Sequence, residues 1–230
     1  FSYCGQMLLE SLNLGNNFNT EKVTNMQNMF SYCGQERLVK LDLKDKFDTK
    51  NVTNMESMFQ QCGRGSMDEF IIGSKFNTNN VTNMSFLFDN FGYYKLKTLD
   101  LGTWFDTSNV TNMSGMFKSA LGNNSTGEEV ILKLGSKFNT SKVTDMSDMF
   151  YECGKTMKSL DLGDVFYTSK VTNMSNMFKG CGTTVMTSLD LGPAFTKIST
   201  TNTEMFTDCG TSTLIIYAPE AIYADIKSFK

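Results

Sequence analysis

The element V-T-x-M returns along this chain with its valine at Val23, Val52, Val81, Val110, Val143 and Val171, and in degenerate form at Ile198. Successive intervals are 29, 29, 29, 33, 28 and 27 residues. A chain repeating at that period does not build separate globular cores, because each unit can cover its apolar face only against the next one. Residues 1–216 therefore read as one solenoid of about seven coils, with residues 217–230 as a C-terminal helical cap. The opening Phe1-Ser2-Tyr3-Cys4-Gly5-Gln6 matches Phe30-Ser31-Tyr32-Cys33-Gly34-Gln35, so the first unit is expected to be incomplete and the chain to be part of a longer protein.

Within a unit the order of residue types predicts the path. An L-x-x-L-x-L run such as Leu38, Leu41 and Leu43, closed by a glycine or a polar residue, reads as a short strand with its leucines inward, and the strands should stack in parallel into one sheet. An inward aromatic follows at Phe18, Phe47, Phe76, Phe105, Phe138, Phe166 and Phe195, trailed by Asn/Asp-Thr turn chemistry. V-T-x-M reads as an extended corner leading into S-x-M-F, a single helical turn. At the far end Pro219 opens a helical pattern that puts Ile222, Ile226 and Phe229 on one face.

Composition narrows the function. The 21 basic and 24 acidic residues are balanced, which excludes the basic footprint of a nucleic-acid binder. With no histidine, the commonest general base and metal ligand are missing, so no catalytic residue, metal or cofactor is expected. No apolar run approaches the ~18 residues of a membrane span.

Read together, F-D-T-S-N-V-T-N-M-S-x-M-F-x-x-C followed by L-x-x-L-D-L resembles the BspA-like leucine-rich-repeat surface proteins, and specifically their mycoplasma-type domain of unknown function. The likeness runs through essentially the whole chain, and the closing YAPEAIYADIKSF is similar to the family's usual tail. The units here are longer than is typical of that subgroup. The resemblance implies an α/β repeat fold, a leucine-rich-repeat-like right-handed solenoid with a parallel β-sheet and single helical turns opposite. It also implies an extracellular or cell-surface bacterial protein, used in adhesion to a host or bacterial surface protein or glycan, with no enzymatic activity. It brings no fixed functional residues. The alternatives are a carbohydrate-active β-solenoid enzyme and a purely structural spacer.

Candidate sites are places where a rank of equivalent residues carries chemistry or is broken. Cys4, Cys33, Cys62, Cys153, Cys181 and Cys209 hold one position, filled elsewhere by Phe91 and Ala120, and read as a buried thiol ladder. The Thr24, Thr53, Thr82, Thr111, Thr144 and Thr172 rank reads as ladder and turn hydrogen bonding in preference to an ice-ordering surface. The outward residue of L-x-L is acidic at Asp42, Asp100, Asp161 and Asp190 but Ile71 and Lys133 elsewhere, which gives either a solvated face or a partner contact. Trp104 stands where Lys46, Lys75 and Lys137 stand in other units, and is expected at the surface. Together with Tyr93, Tyr94, Asp100 and the inserted loop from Asn123 to Glu129, it marks the third and fourth units as the candidate binding region.

Overall fold

A computed structural model of the protein describes residues 1–15, 18–44, 46–123 and 127–229. It is a parallel β-solenoid of about seven turns. Its strands are β1 (Ser11–Leu12), β2 (Lys40–Asp42), β3 (Glu69–Ile71), β4 (Thr98–Asp100), β5 (Ile131–Lys133), β6 (Ser159–Asp161), β7 (Ser188–Asp190) and β8 (Ile215–Tyr217). Each pairs in parallel with its sequence neighbour one coil away, as in Leu41 with Phe70 and Leu160 with Leu189. The central leucine of each strand faces the core while its neighbours face out, so Leu41, Leu99, Leu160 and Leu189 are buried. β8 has no V-T-x-M element behind it and supplies the last coil with a paired edge.

The strands do not form the one continuous sheet expected. They fall into three groups, β1-β2-β3, β4-β5 and β6-β7-β8. The first break coincides with two enlarged side chains. Phe70 occupies the leucine position of β3 and Phe91 the cysteine position of the same coil, and their rings meet edge-on with centroids 4.9 Å apart. Other coils pair a strand leucine with a small residue there, as with Leu41 and Cys62 or Leu99 and Ala120, all fully buried, whereas Phe70 is only half-buried. The second break follows the four-residue lengthening of the fifth unit, where Glu129, aligned with Leu96 by strand register, is exposed and Val130 and Leu121 are buried instead.

The stretch expected as one helical turn is a chain of overlapping β-turns. In the first coil the amide N–H groups of Met26, Asn28, Phe30 and Tyr32 donate forward to carbonyl oxygens of the next coil at 2.8–3.0 Å, while those of Met29, Ser31 and Cys33 close four-residue β-turns within their own coil. This alternation recurs in the following coils. Every second turn needs a residue with positive φ at its third position, met by Asn28 (57°) and Tyr32 (56°) here and by Ser57, Phe86 and Asp148 later. Such a backbone costs an L-residue roughly 1–2 kcal/mol, and the inter-coil hydrogen bonds, which take every second amide, offset it. Helix among the described residues is confined to the end, where a 3₁₀ turn (Glu220–Ile222) leads into α1 (Tyr223–Lys227). Ile222 and Ile226 are buried there, and the Phe229 ring packs edge-on against Phe206 at 5.3 Å.

Two aromatic columns run through the core. Phe30, Phe59, Phe88, Phe117, Phe150, Phe178 and Phe206 stack face to face, with steps such as 5.6 Å between Phe30 and Phe59 and 5.4 Å between Phe150 and Phe178. The second column takes the aromatic after each strand, including Phe47 on Phe76 at 6.3 Å and Phe76 on Phe105 at 6.2 Å. The columns touch, as at 5.9 Å between Phe30 and Phe47, and Met55, Met84 and Met113 with Val52, Val81 and Val110 are fully buried beside them. The threonines divide into two ranks with opposite environments. Thr49, Thr78 and Thr107 are fully buried, and each hydroxyl donates to a backbone carbonyl one coil on. Thr53, Thr82 and Thr111 are exposed and donate back one coil at a longer 3.2 Å.

Candidate functional site

The strand-end aspartates have a local job. Each closes an Asx turn, its Oδ1 accepting the amide N–H two residues on: Asp42 from Lys44 at 3.0 Å, Asp100 from Gly102 at 2.9 Å, Asp161 from Gly163 at 2.8 Å and Asp190 from Gly192 at 2.9 Å. Asn13 does the same for Gly15. The partner position needs positive φ, 67° at Gly102 and 81° at Gly135, so it is usually glycine, with Lys44 at 60° the exception. Cations neutralise part of the rank. Lys133 lies 3.2 Å from Asp100, and Lys44 lies 2.6 Å from Asp42. Partial burial works against ionisation of Asp42, yet the Lys44 ammonium and amide, with Lys40 nearby, hold its carboxyl below the usual range. Asp161 and Asp190 sit opposite each other in the β6–β7 register, two acids one coil apart.

Trp104 lies past the end of β4 and is 63% exposed, the most exposed aromatic side chain among the described residues. It belongs to a corner rank that holds the exposed Lys46, Lys75 and Lys137 in three other coils and Val165 and Ala194 in two later ones. The Lys137 ammonium, one coil further along, stands 5.6 Å from the centre of the indole. Towards the two preceding coils the indole borders a shallow groove lined by Phe76, Asp48, Lys50, Ser74, Lys75 and Asn77.

Tyr93 and Tyr94 are placed differently. Both are half-buried, their rings meet edge-on at 4.8 Å, and the Arg64 guanidinium of the preceding coil stands 4.8 Å from one ring and 4.9 Å from the other. They precede β4 while Trp104 follows it, so strand and turn separate them onto opposite edges of the sheet. The inserted loop lies on the tyrosine edge, where the Asn123 amide donates to the Tyr93 carbonyl at 2.9 Å. Beyond it, Glu129 pairs with Lys158 at 2.8 Å. Residues 124–126 of that loop are outside the described residues. Arg64, Asp48, Lys50, Ser74 and Asn77 are the features that the sequence did not single out. Their contacts cross between coils about thirty residues apart, and the only sequence signal is the Trp-for-Lys exchange.

The six cysteines are free, four of them buried and Cys4 and Cys209 half-buried. Burial raises the Cys153 and Cys209 thiols to about 12 and pushes Cys181 up as well. Cys62 is raised by its contact with Cys33 and by burial. Thiols held in this way are poor nucleophiles and poor metal ligands at neutral pH. Among the described residues no group of three or more Cys, Asp or Glu could hold a metal ion, and no helix is long and apolar enough to cross a membrane.

No curated protein and no solved structure matches the chain. A family model does, described as Mycoplasma protein of unknown function, DUF285, over residues 35–133 and again over residues 96–213. The two matches overlap within the repeat array and together run from the second coil to the last, as a model of a few tandem units must when it is laid on seven. The chain belongs to the DUF285 family.

Proposed function

We propose that the chain is a non-enzymatic, BspA-like surface repeat domain that binds a host or bacterial surface protein or glycan. The observation that carries this reading is Trp104. The repeated ranks are explained by the coil: the aspartates cap turns, the cysteines and methionines fill the core, and the threonines bond neighbouring coils. An indole left 63% exposed where three other coils place lysine has no such explanation. Large exposed aromatics are the side chains that most often anchor an interface. Aligned coils also present a long regular face, which is how solenoids take extended partners.

The test is Trp104→Ala on the full chain. An exposed anchor of this type contributes more than about 2 kcal/mol, so the substitution should weaken partner binding at least about thirtyfold with the melting temperature nearly unchanged. A pull-down from host matrix, run beside a glycan array, supplies the partner. Hydrolysis of any host or bacterial glycan, abolished by a single Asp or Glu substitution, would overturn the non-enzymatic reading.

A further inference from the structure

We infer that the corner rank centred on Trp104 is a binding slot for an acidic polysaccharide, one whose carboxylate recurs on every second sugar. The inference rests on the binding role proposed above and assigns its ligand class. The indole is held on one side by the Lys137 ammonium at 5.6 Å and borders the groove over Phe76 on the other. An aromatic face open to a shallow polar groove suits the C–H face of a sugar ring, with hydroxyls reaching the groove's rim.

Charge selects among sugars. The ammonium groups of Lys75 and Lys137 make no ion pair among the described residues, whereas nearby Lys40, Lys44, Lys50 and Lys133 are each neutralised by a carboxylate. The one acid lining the groove, Asp48, is already engaged: its Oδ1 accepts the Lys50 amide at 2.9 Å and its Oδ2 lies 3.7 Å from the Lys50 ammonium. Two cations without an ion pair among the described residues therefore flank an exposed ring, Lys75 with the Glu21 carboxylate in its field and Lys137 against the indole. Lys75, Trp104 and Lys137 occupy successive coils ~4.8 Å apart, so the two lysines stand about two coils apart with the ring between them. That separation is close to one disaccharide. A chain running along the solenoid axis would stack one sugar on Trp104 and set the anionic groups to either side against Lys75 and Lys137. A nucleic acid would ask for a broader basic field than a chain of net charge −3 presents.

The experiment is calorimetric titration of the full chain with hyaluronan oligosaccharides, heparin fragments and carboxyl-reduced hyaluronan at two salt concentrations. Binding of hyaluronan or heparin is expected, weakening as salt rises, with no binding of the carboxyl-reduced polymer. Trp104→Ala should lose at least thirtyfold. The Lys75→Gln, Lys137→Gln double variant should lose at least tenfold and most of the salt dependence, while Tyr93→Ala, on the opposite edge, should change nothing. Unaltered thermal melts show that the variants are folded. The inference is overturned if neither acidic polymer binds, if Trp104→Ala binds them as well as the parent, or if poly-glutamate or a single-stranded oligonucleotide binds equally tightly. A protein partner lost on Trp104→Ala without any glycan binding would also overturn it while leaving the broader binding role intact.

Discussion

The Phe91 ring stands edge-on to Phe70, 4.9 Å between centroids and 74° between planes, at the point where the sheet divides between β3 and β4. Each fills the space that a leucine and a cysteine fill in other coils, so the two substitutions compensate each other. Phe70→Leu and Phe91→Cys should each destabilise the chain, Phe91→Cys by about 3 kcal/mol or more because its ring is fully buried. The double variant, which rebuilds the common pair, should fall short of the sum by at least about 1 kcal/mol. Denaturant midpoints of the four proteins check this, and additive losses would show that the pairing does not matter.

The two threonine ranks should respond oppositely to loss of the hydroxyl. Thr78→Val removes a buried donor 2.7 Å from the Asp106 carbonyl and leaves that oxygen unsatisfied, at a cost of about 1–3 kcal/mol. Thr82→Val is exposed and loses only a 3.2 Å contact to a carbonyl that already accepts the Thr82 amide, so its effect should stay within about 0.5 kcal/mol. Equal losses in thermal melts would contradict the distinction.

Asp161 tests whether the acidic rank serves the turn or a partner. Asp161→Asn keeps the oxygen that accepts the Gly163 amide at 2.8 Å and removes the like charge facing Asp190. It should stabilise slightly at low salt, by a few tenths of a kcal/mol, and the gain should vanish at high salt. Asp161→Ala removes the cap and should destabilise at either salt concentration. A destabilised Asn variant would mean that the charge itself is needed.

Alkaline pH should unfold the chain through its thiols. The Cys153 and Cys209 thiols are raised to about 12 by burial, above their value in the unfolded chain. The sign follows directly: the stabilisation is complete below the unfolded value and is lost as pH climbs towards 12, because only the unfolded state releases these protons. The melting temperature should fall across that window, and changing Cys153, Cys181 and Cys209 together to Ala, the residue this rank already tolerates at Ala120, should flatten the fall. Below it, a thiol-alkylating reagent should label the folded protein slowly and all six sulfurs once it is denatured.

How much could be read from residues alone depended on whether their type declares their geometry. Val52, Met55, Phe59 and Leu41 recur at one spacing and are all buried, so the coil register and the solenoid were legible. The turn ladder was not. Overlapping β-turns set Met26, Met29, Phe30 and Cys33 inward at the three- and four-residue spacing that a helix also gives, and only the positive φ of Asn28 and Tyr32 tells them apart. Ser57 and Phe86 at the same place carry no signature of that conformation. Similarly, Asp100 looks the same in sequence whether it caps Gly102 or meets a partner. Trp104 stood out because it breaks a rank of lysines, but its groove is assembled from three coils that no local pattern links.

The forward-donating amides give the molecule a direction of yield under tension. Met26, Asn28, Phe30 and Tyr32 reach only the adjoining coil, and each phenylalanine stacks only on the ring before and after it. A force applied between the chain ends therefore loads one junction between coils at a time. Stretching should produce a train of similar rupture events, each releasing one coil of 27–33 residues, or ~100 Å of extended chain. The lost β3–β4 and β5–β6 pairings make those two junctions the places where such a train would start.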